Sequence, residues 1–226
     1  MDSAPAMVAS VKARLAIRRL AVIALFAIAL GFTMQSLILA TKLATGGLFP
    51  GSLFLVDLAQ GVTWSFFVCA GVAIGMSLQK ARAALAGFIA MIFAPVAVAA
   101  AKSSQKVMAG WIGAANQPAV LSLATISVLR AIEYGILGWL LATLAQKGVD
   151  KPLPYLKAGA ATGIILGGAI AALTYHAAVT NGLNPSLSKT AASVVNEVLS
   201  PIGCAMVIFI GQIIGRSLKV VYDSPT

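Results

Sequence analysis

The sequence predicts an all-α, polytopic membrane protein with six transmembrane helices and both termini in the cytoplasm. Composition is the first reason: 60% of the 226 residues are hydrophobic, 10% are charged and the mean hydropathy is +0.96, which is too apolar for a soluble domain. The second reason is that apolar residues occur in runs long enough to cross about 30 Å of hydrocarbon, which takes about 20 helical residues. We therefore expect a single membrane domain covering residues 1–226.

Six apolar runs satisfy this length requirement. They are Leu20–Leu43, Leu53–Leu78, Ala83–Ala101, Ala119–Ala145, Leu156–Val179 and Thr190–Leu218. Because the first run lacks a convincing small-residue cleavage site, we interpret it as an uncleaved helix and residues 5–19 as an amphipathic lead-in on the cytoplasmic surface. Beyond residues 1–19, the runs group into a first hairpin (20–78), helices three and four (83–145) and a second hairpin (156–218).

The positive charge of the chain is distributed unevenly about these helices. The formal net charge is +10, and with the N-terminus inside, eleven basic residues fall on the cytoplasmic side. The opposite side holds four, Lys42, Lys102, Lys106 and Lys189. This bias follows the positive-inside rule and favours contact with anionic lipid headgroups. We therefore expect a multi-pass protein of a bacterial-type inner (plasma) membrane, with the lipid bilayer as its partner and without nucleic-acid binding.

The first and last hairpins resemble each other in sequence. Residues 45–50 (TGGLFP) and 180–185 (TNGLNP) share Thr, Gly, Leu and Pro at a constant offset, which also pairs Ser65 with Ser200 and Cys69 with Cys204. Because both hairpins start inside, the predicted repeat is parallel, with its axis along the membrane normal. Such repeats are common in transporters, but they also build purely structural bundles.

Small residues recur every four positions on three of the predicted helices. Helix five carries Gly159, Gly163 and Gly167, and shorter pairs occur on helices two and six, Gly71 with Gly75 and Gly211 with Gly215. This spacing places the glycines on one face, where a neighbouring backbone can approach closely. Tight helix packing explains the pattern better than a pore lined by glycine. Helix five packs either within the chain or against a second copy, and we expect a homo-oligomer or a membrane-complex partner.

Four charged residues lie inside runs that are otherwise fit for lipid: Asp57, Arg130, Glu133 and Glu197. A charge in hydrocarbon costs at least about 2.5 kcal/mol on insertion scales, so such residues usually face a protein interior or a water-filled cavity. Counting about 1.5 Å per residue from the cytoplasmic basic residues places all four in the outer half of the membrane, together with His176. We expect these five residues and Asn196 to form a substrate site, with Gln35, Gln60 and Tyr134 as neighbours.

Two interpretations of these charges stand side by side. In a structural interpretation, Arg130 bridges Glu133 and Glu197 and ties helix four to helix six. In a functional interpretation, three carboxylates against one guanidinium leave a net negative site suited to a cation, a proton or an amine. Lys42 or Lys189 would supply the missing positive charge and weaken the functional interpretation.

No recognisable cofactor or catalytic motif accompanies these residues. His176 is the single histidine, which argues against paired haem ligands and histidine-rich metal centres. Cys69 and Cys204 are favoured as inert buried thiols over a disulfide or a soft-metal site. The sequence contains no phosphate loop and no nucleophile elbow. We therefore expect no cofactor, no metal and no enzymatic activity.

These features favour a small inner-membrane transporter or channel-like protein that opens away from the cytosol. Its expected substrate is a small cation, a proton-coupled solute or an amine, selected by Glu133 and Glu197 with Arg130 as the balancing or gating cation. The alternative is a non-catalytic membrane subunit or assembly factor of a larger complex. In that case helix five docks a partner, and the charged residues only hold helices together.

Overall fold

The computed structural model describes residues 3–77, 83–114 and 120–223, and within these ranges its regular structure is helical, without strands. This part of the chain contains seven α-helices: α1 Ser3–Ala44, α2 Leu53–Ser77, α3 Ala83–Trp111, α4 Leu123–Gln146, α5 Pro152–Thr162, α6 Gly168–Thr180 and α7 Leu187–Asp223. A π-helical segment, Gly163–Gly167, joins α5 to α6.

Within the described residues, six helical stretches are long and apolar enough to cross a membrane, which confirms the predicted number of spans. They are Leu20–Ala44, Leu53–Ser77, Ala83–Trp111, Leu123–Gln146, Pro152–Thr180 and Leu187–Gly215. The third span differs most from its prediction, because it continues from Ala101 to Trp111. The helix continues beyond the apolar run and ends two residues before Gly113, which has a left-handed φ of 65°.

The first helix is longer than one membrane span. α1 has 42 residues, and the predicted lead-in, residues 5–19, is its N-terminal part. Residues 6–30 contain neither proline nor glycine, so the sequence offers no break in helical hydrogen bonding there. The lead-in and the first span are therefore one continuous element.

The fifth span is not a uniform α-helix. Between α5 and α6, the N–H of Gly168 bonds to the carbonyl of Gly163, five residues earlier, which is the π-helical pattern. π-helical turns are rare, and they occur frequently at functional sites. The sequence did not predict this segment, because glycines four residues apart are equally compatible with a regular α-helix.

The α1–α2 and α6–α7 connections turn the chain in the same way. Gly46 (φ 83°) ends the first helix, and Gly47 donates its N–H to the carbonyl five residues back. Gly182 (φ 74°) ends α6, and Leu183 donates in the same manner. Glycine adopts this left-handed conformation without strain, which is why it stands at both ends. The turn geometry thus pairs Gly46 with Gly182, whereas the sequence alignment pairs Gly47 with Gly182. The repeat therefore stays a prediction.

The helices form a ring. α2 packs between α1 and α3, α4 packs between α3 and α5, and α7 packs between α1 and α5. α2, α4 and α7 also contact one another across the interior. The α1–α2, α3–α4 and α6–α7 connections lie at one end of the bundle, which we call the distal end: residues 45–52, 112–114, 120–122 and 181–186. This arrangement brings the distal halves of all six spans around a common space.

Candidate functional site

A cavity of about 460 Å³ lies between the helices at the distal end. Each of the six spans contributes to its wall, which combines cationic, carboxylate and amide groups with small and aliphatic side chains. Sites for small molecules commonly have volumes of about 300–1,000 Å³. The cavity is therefore large enough for a small organic solute.

The polar lining comes from one face of each helix. α2 contributes Asp57, Gln60, Gly61 and Trp64, and α7 contributes Lys189, Ala192, Ser193, Asn196 and Glu197. Residues spaced three or four apart share one helical face, so each group points in one direction. The shorter groups on α1 and α3 follow the same spacing: Gln35, Ile38 and Lys42, and Val98, Ala101, Lys102 and Gln105. Polar stripes within apolar spans thus converge on one cavity.

Arg130 of α4 forms the floor of the cavity together with Glu197 of α7, and it also contacts the buried carboxylate of Glu133. Its Nη1 donates to Oε2 of Glu133 over 2.8 Å, and its Nη2 lies 2.6 Å from Oε2 of Glu197 on α7. The exposed fractions of the Arg130, Glu133 and Glu197 side chains are 6%, 0% and 10%. We call these three residues the Arg130 triad. The structural interpretation predicted an ion-pair bridge between helices four and six, and the contact between Arg130 of α4 and Glu197 of α7 is that bridge.

An aromatic pair holds the guanidinium from a further side. The ring centroid of Trp64 lies 4.9 Å from Cζ of Arg130, a cation–π distance. Trp64 also meets Tyr134 edge to face, with 5.4 Å between the ring centroids. Asn196 donates from Nδ2 to Oε1 of Glu197 over 3.3 Å. The charged groups at the cavity floor are therefore held in place by contacts within the protein.

Two irregular helical segments meet at the Arg130 triad. Pro201 lies inside α7 and has no N–H, so it cannot donate to the carbonyl of Glu197 one turn earlier. Gly167, at the end of the π-helical segment, packs against that same carbonyl. A Cβ atom at Gly167 would also lie 3.1 Å from Oε1 of Glu133. Oε1 of Glu133 is buried without a hydrogen-bond partner in the described part of the chain. The triad thus borders two segments in which regular helical hydrogen bonding is interrupted.

Lysines line the cavity nearer the distal end. Nζ of Lys42 lies 3.2 Å from Oδ2 of Asp57, and both side chains are partly exposed. Nζ of Lys102 donates to Oε1 of Gln105 over 2.9 Å, and Lys189 lines the wall from α7. With Arg130, the wall carries four cations against the two carboxylates of Asp57 and Glu197. Counting the buried Glu133 as well leaves the site net positive.

Beyond the triad, packed side chains fill the interior of the bundle. Tyr134, Cys69 and Cys204 are almost completely buried, and the two thiols are free. Closer to the opposite end, the hydroxyl of Tyr155 donates to Oε1 of Gln212 over 2.7 Å. Nε2 of Gln212 donates in turn to the sulfur of Met76 over 3.7 Å. The cavity is therefore separated from the opposite end of the bundle by a packed layer.

The predicted glycine faces lie against neighbouring helices of the same chain. Gly159, Gly163 and Gly167 contact α7, where a Cβ atom at Gly159 would lie 2.8 Å from the Cα of Ile202. Gly71 and Gly75 contact α3, and Gly211 contacts α1, whereas Gly215 is partly exposed. The glycine face of the fifth span is thus covered by α7, and it offers no free surface to a partner.

The structure brings together most residues of the predicted site. Asp57, Arg130, Asn196 and Glu197 line the cavity, and Glu133 lies beside them. His176 is exposed and is not among the lining residues. The sequence interpretation did not include Trp64, although it lies seven residues after Asp57 on the same helical face. That spacing is the signal that could have identified it.

No family model, curated protein or solved structure matches the chain. In the described residues, no group of three or more His, Cys, Asp or Glu side chains is placed to hold a metal ion. Fold and site together define a multi-pass, all-helical membrane protein with six candidate spans and a charged cavity at one end. Function is therefore argued from this cavity.

Proposed function

We propose that the protein is a small transporter or channel-like protein of a bacterial-type inner (plasma) membrane, whose cavity opens away from the cytosol. The observation that carries the proposal is the cavity itself, which is walled by all six spans and has two members of the Arg130 triad, Arg130 and Glu197, at its floor. A bundle that only had to be stable would gain by filling this space with apolar side chains, because buried charges are costly.

The closed side of the bundle supports transport by alternating access. A solute in the cavity reaches the Arg130 triad and then meets the packed layer around Tyr134, Cys69 and Cys204. Passage requires α4, α7 and the fifth span to shift relative to one another. The π-helical segment and Pro201 lie where these elements meet, and interrupted hydrogen bonding lowers the cost of bending there.

Transport is tested by reconstituting the purified protein into proteoliposomes. We would measure uptake of radiolabelled succinate, phosphate, glycine and putrescine, with protein-free liposomes as the background. Uptake of at least one probe should exceed that background, and it should fall in Glu133→Gln and Glu197→Gln, because each substitution changes the charge balance of the triad. Lys106→Gln is the matched control, because Lys106 is exposed and outside the cavity. Unchanged uptake in both glutamate variants would overturn the proposal.

A second candidate function is a non-catalytic membrane subunit or assembly factor. It is favoured by the double ion pair of Arg130, which is what residues that only join α4 to α7 would form. Purification in mild detergent separates the two candidates. A defined hetero-complex without solute flux supports the subunit, whereas flux by the isolated protein supports the transporter.

A further inference from the structure

We propose that the cavity binds a small anion through carboxylate or phosphate oxygens, with Lys102 and Lys189 as its principal ligands. The inference names the substrate class of the cavity and rests on the transport function proposed above. It departs from the cation favoured by the sequence, because Lys42 and Lys189, the counter-charges that would weaken that interpretation, both line the cavity, and Lys102 lines it as well.

The carboxylates at the distal end are already engaged. Glu133 and Glu197 both contact Arg130, and Asp57 contacts Lys42. The chain has three other acidic residues. Asp150 lies in the α4–α5 connection and Asp223 is the last residue of α7, whereas Asp2 lies outside the described residues. Residues 115–119, which the structure does not describe, contain no acidic residue. Among the described residues, no further carboxylate lines the cavity beside its two remaining lysines.

Lys102 and Lys189 are available to a ligand. An ammonium group has three N–H donors, and Lys102 uses one of them on the neutral amide of Gln105. Asp57 lines the same cavity, but its one carboxylate already contacts Lys42. Lys189 lines the cavity from α7 and forms no ion pair with the described carboxylates. Two ammonium groups thus face the same space from α3 and α7.

The remaining wall suits an anion with a polar body. Amide side chains from three helices, Gln35, Gln60 and Asn196, offer N–H donors alongside the lysines. A cavity of about 460 Å³ exceeds what a halide ion needs and fits a small organic acid or a phosphate ester. A cation would instead meet a net positive wall, where low-dielectric surroundings strengthen the repulsion.

Binding is tested by thermal unfolding of the purified protein in detergent. The probes are sodium succinate, sodium phosphate and putrescine dihydrochloride, each compared with sodium chloride at the same ionic strength. A ligand that binds the folded state raises Tm in a concentration-dependent way. We expect succinate or phosphate to raise Tm and putrescine to leave it unchanged. Stabilisation by putrescine alone, or by none of the probes, would overturn the anion assignment.

Four lysine variants locate the site. Lys102→Gln and Lys189→Gln should each weaken the apparent anion affinity by about tenfold, which corresponds to the loss of one charge-assisted contact. Lys106→Gln removes the same charge from an exposed position on α3 that does not line the cavity, and it should leave the affinity within about twofold. Lys102→Arg keeps the charge and should retain binding. An equal loss of anion affinity in Lys106→Gln would show that the effect comes from general surface charge, and it would refute the proposed site.

Flux and binding together distinguish the two proposals. Putrescine uptake without anion uptake would refute the anion assignment and leave transport standing. Anion binding that depends on Lys102 and Lys189, without flux of any probe, would refute transport and leave the anion site standing. Anion uptake that is lost in both lysine variants and kept in Lys106→Gln supports both.

Discussion

The charge on each residue of the Arg130 triad decides how the site responds to substitution. Wild-type Arg130 faces two carboxylates, so one negative charge of the triad is left without a positive partner. Glu133→Gln makes the triad neutral and keeps an oxygen that can accept from Nη1. Arg130→Gln leaves two buried carboxylates without a cation, which is the costly way to break a buried pair.

We expect Arg130→Gln to lower the free energy of unfolding by about 3–5 kcal/mol, the cost typical of removing one partner from a buried ion pair. Glu133→Gln should cost clearly less, because it leaves no unpaired charge. Unfolding in mixed micelles of detergent and sodium dodecyl sulfate measures both variants against wild type. Equal stabilities of Arg130→Gln and wild type would mean that water, rather than Arg130, compensates the carboxylates.

The sequence indicated the triad but not the charge of the whole site. Arg130, Glu133 and Glu197 stood out because a charge within an apolar span is expensive. Lys42, Lys102 and Lys189 lie near span ends, where lysine is expected at the membrane interface, and its long side chain can reach toward headgroups or toward the protein. Backbone position alone does not decide between these directions. The direction of each lysine side chain is decided by which side of its helix faces the cavity, and this depends on how the helices pack.

At the scale of single helices, the fifth span combines predictable and unpredictable features. Its length and hydropathy indicated a membrane span, and its glycines indicated close packing. The π-helical turn within it lies against α7 at the carbonyls of Glu197 and Val198. A sequence with glycine at every fourth position does not encode that extra residue per turn by itself.

Neighbouring glycines in this span provide a matched pair of variants. A Cβ atom at Gly167 would collide with the carbonyl of Glu197, whereas a Cβ atom at Gly168 would meet nothing within 4 Å. We expect Gly167→Ala to lower stability by about 1–3 kcal/mol through overpacking and to reduce uptake. Gly168→Ala should be neutral or slightly stabilising, because alanine favours the helix. The contact with Glu197 would be disproved by equal thermal stabilities of the two variants.

At the scale of the whole molecule, six spans follow from hydropathy, but their order around the ring does not. The spans are similar in composition, and small residues that permit close approach occur on several of them. The cavity exists because α7 closes the ring between α1 and the fifth span, which brings Glu197 to Arg130 and Lys189 to the distal end. That long-range closure depends on many weak contacts together, and no local pattern specifies it.

The orientation and hydration of the cavity can be tested in intact cells with two neighbouring positions on α7. Ser193 lines the cavity, whereas Val194, the next residue, is exposed on the outer surface of the bundle, where lipid is expected. We expect Ser193→Cys to react with a membrane-impermeant sulfonated methanethiosulfonate added outside the cell, because water-filled space reaches it. Val194→Cys should react slowly, because lipid suppresses formation of the reactive thiolate.

Native Cys69 and Cys204 are buried, so they serve as internal controls that react only after denaturation. Reaction of Ser193→Cys only after the membrane is permeabilised would place the cavity on the cytoplasmic side and reverse the proposed orientation. Equal reaction of Ser193→Cys and Val194→Cys would show that the reagent does not distinguish the cavity from the outer surface. Rapid, selective labelling of Ser193→Cys from outside is the result that an outward-facing, water-filled site requires.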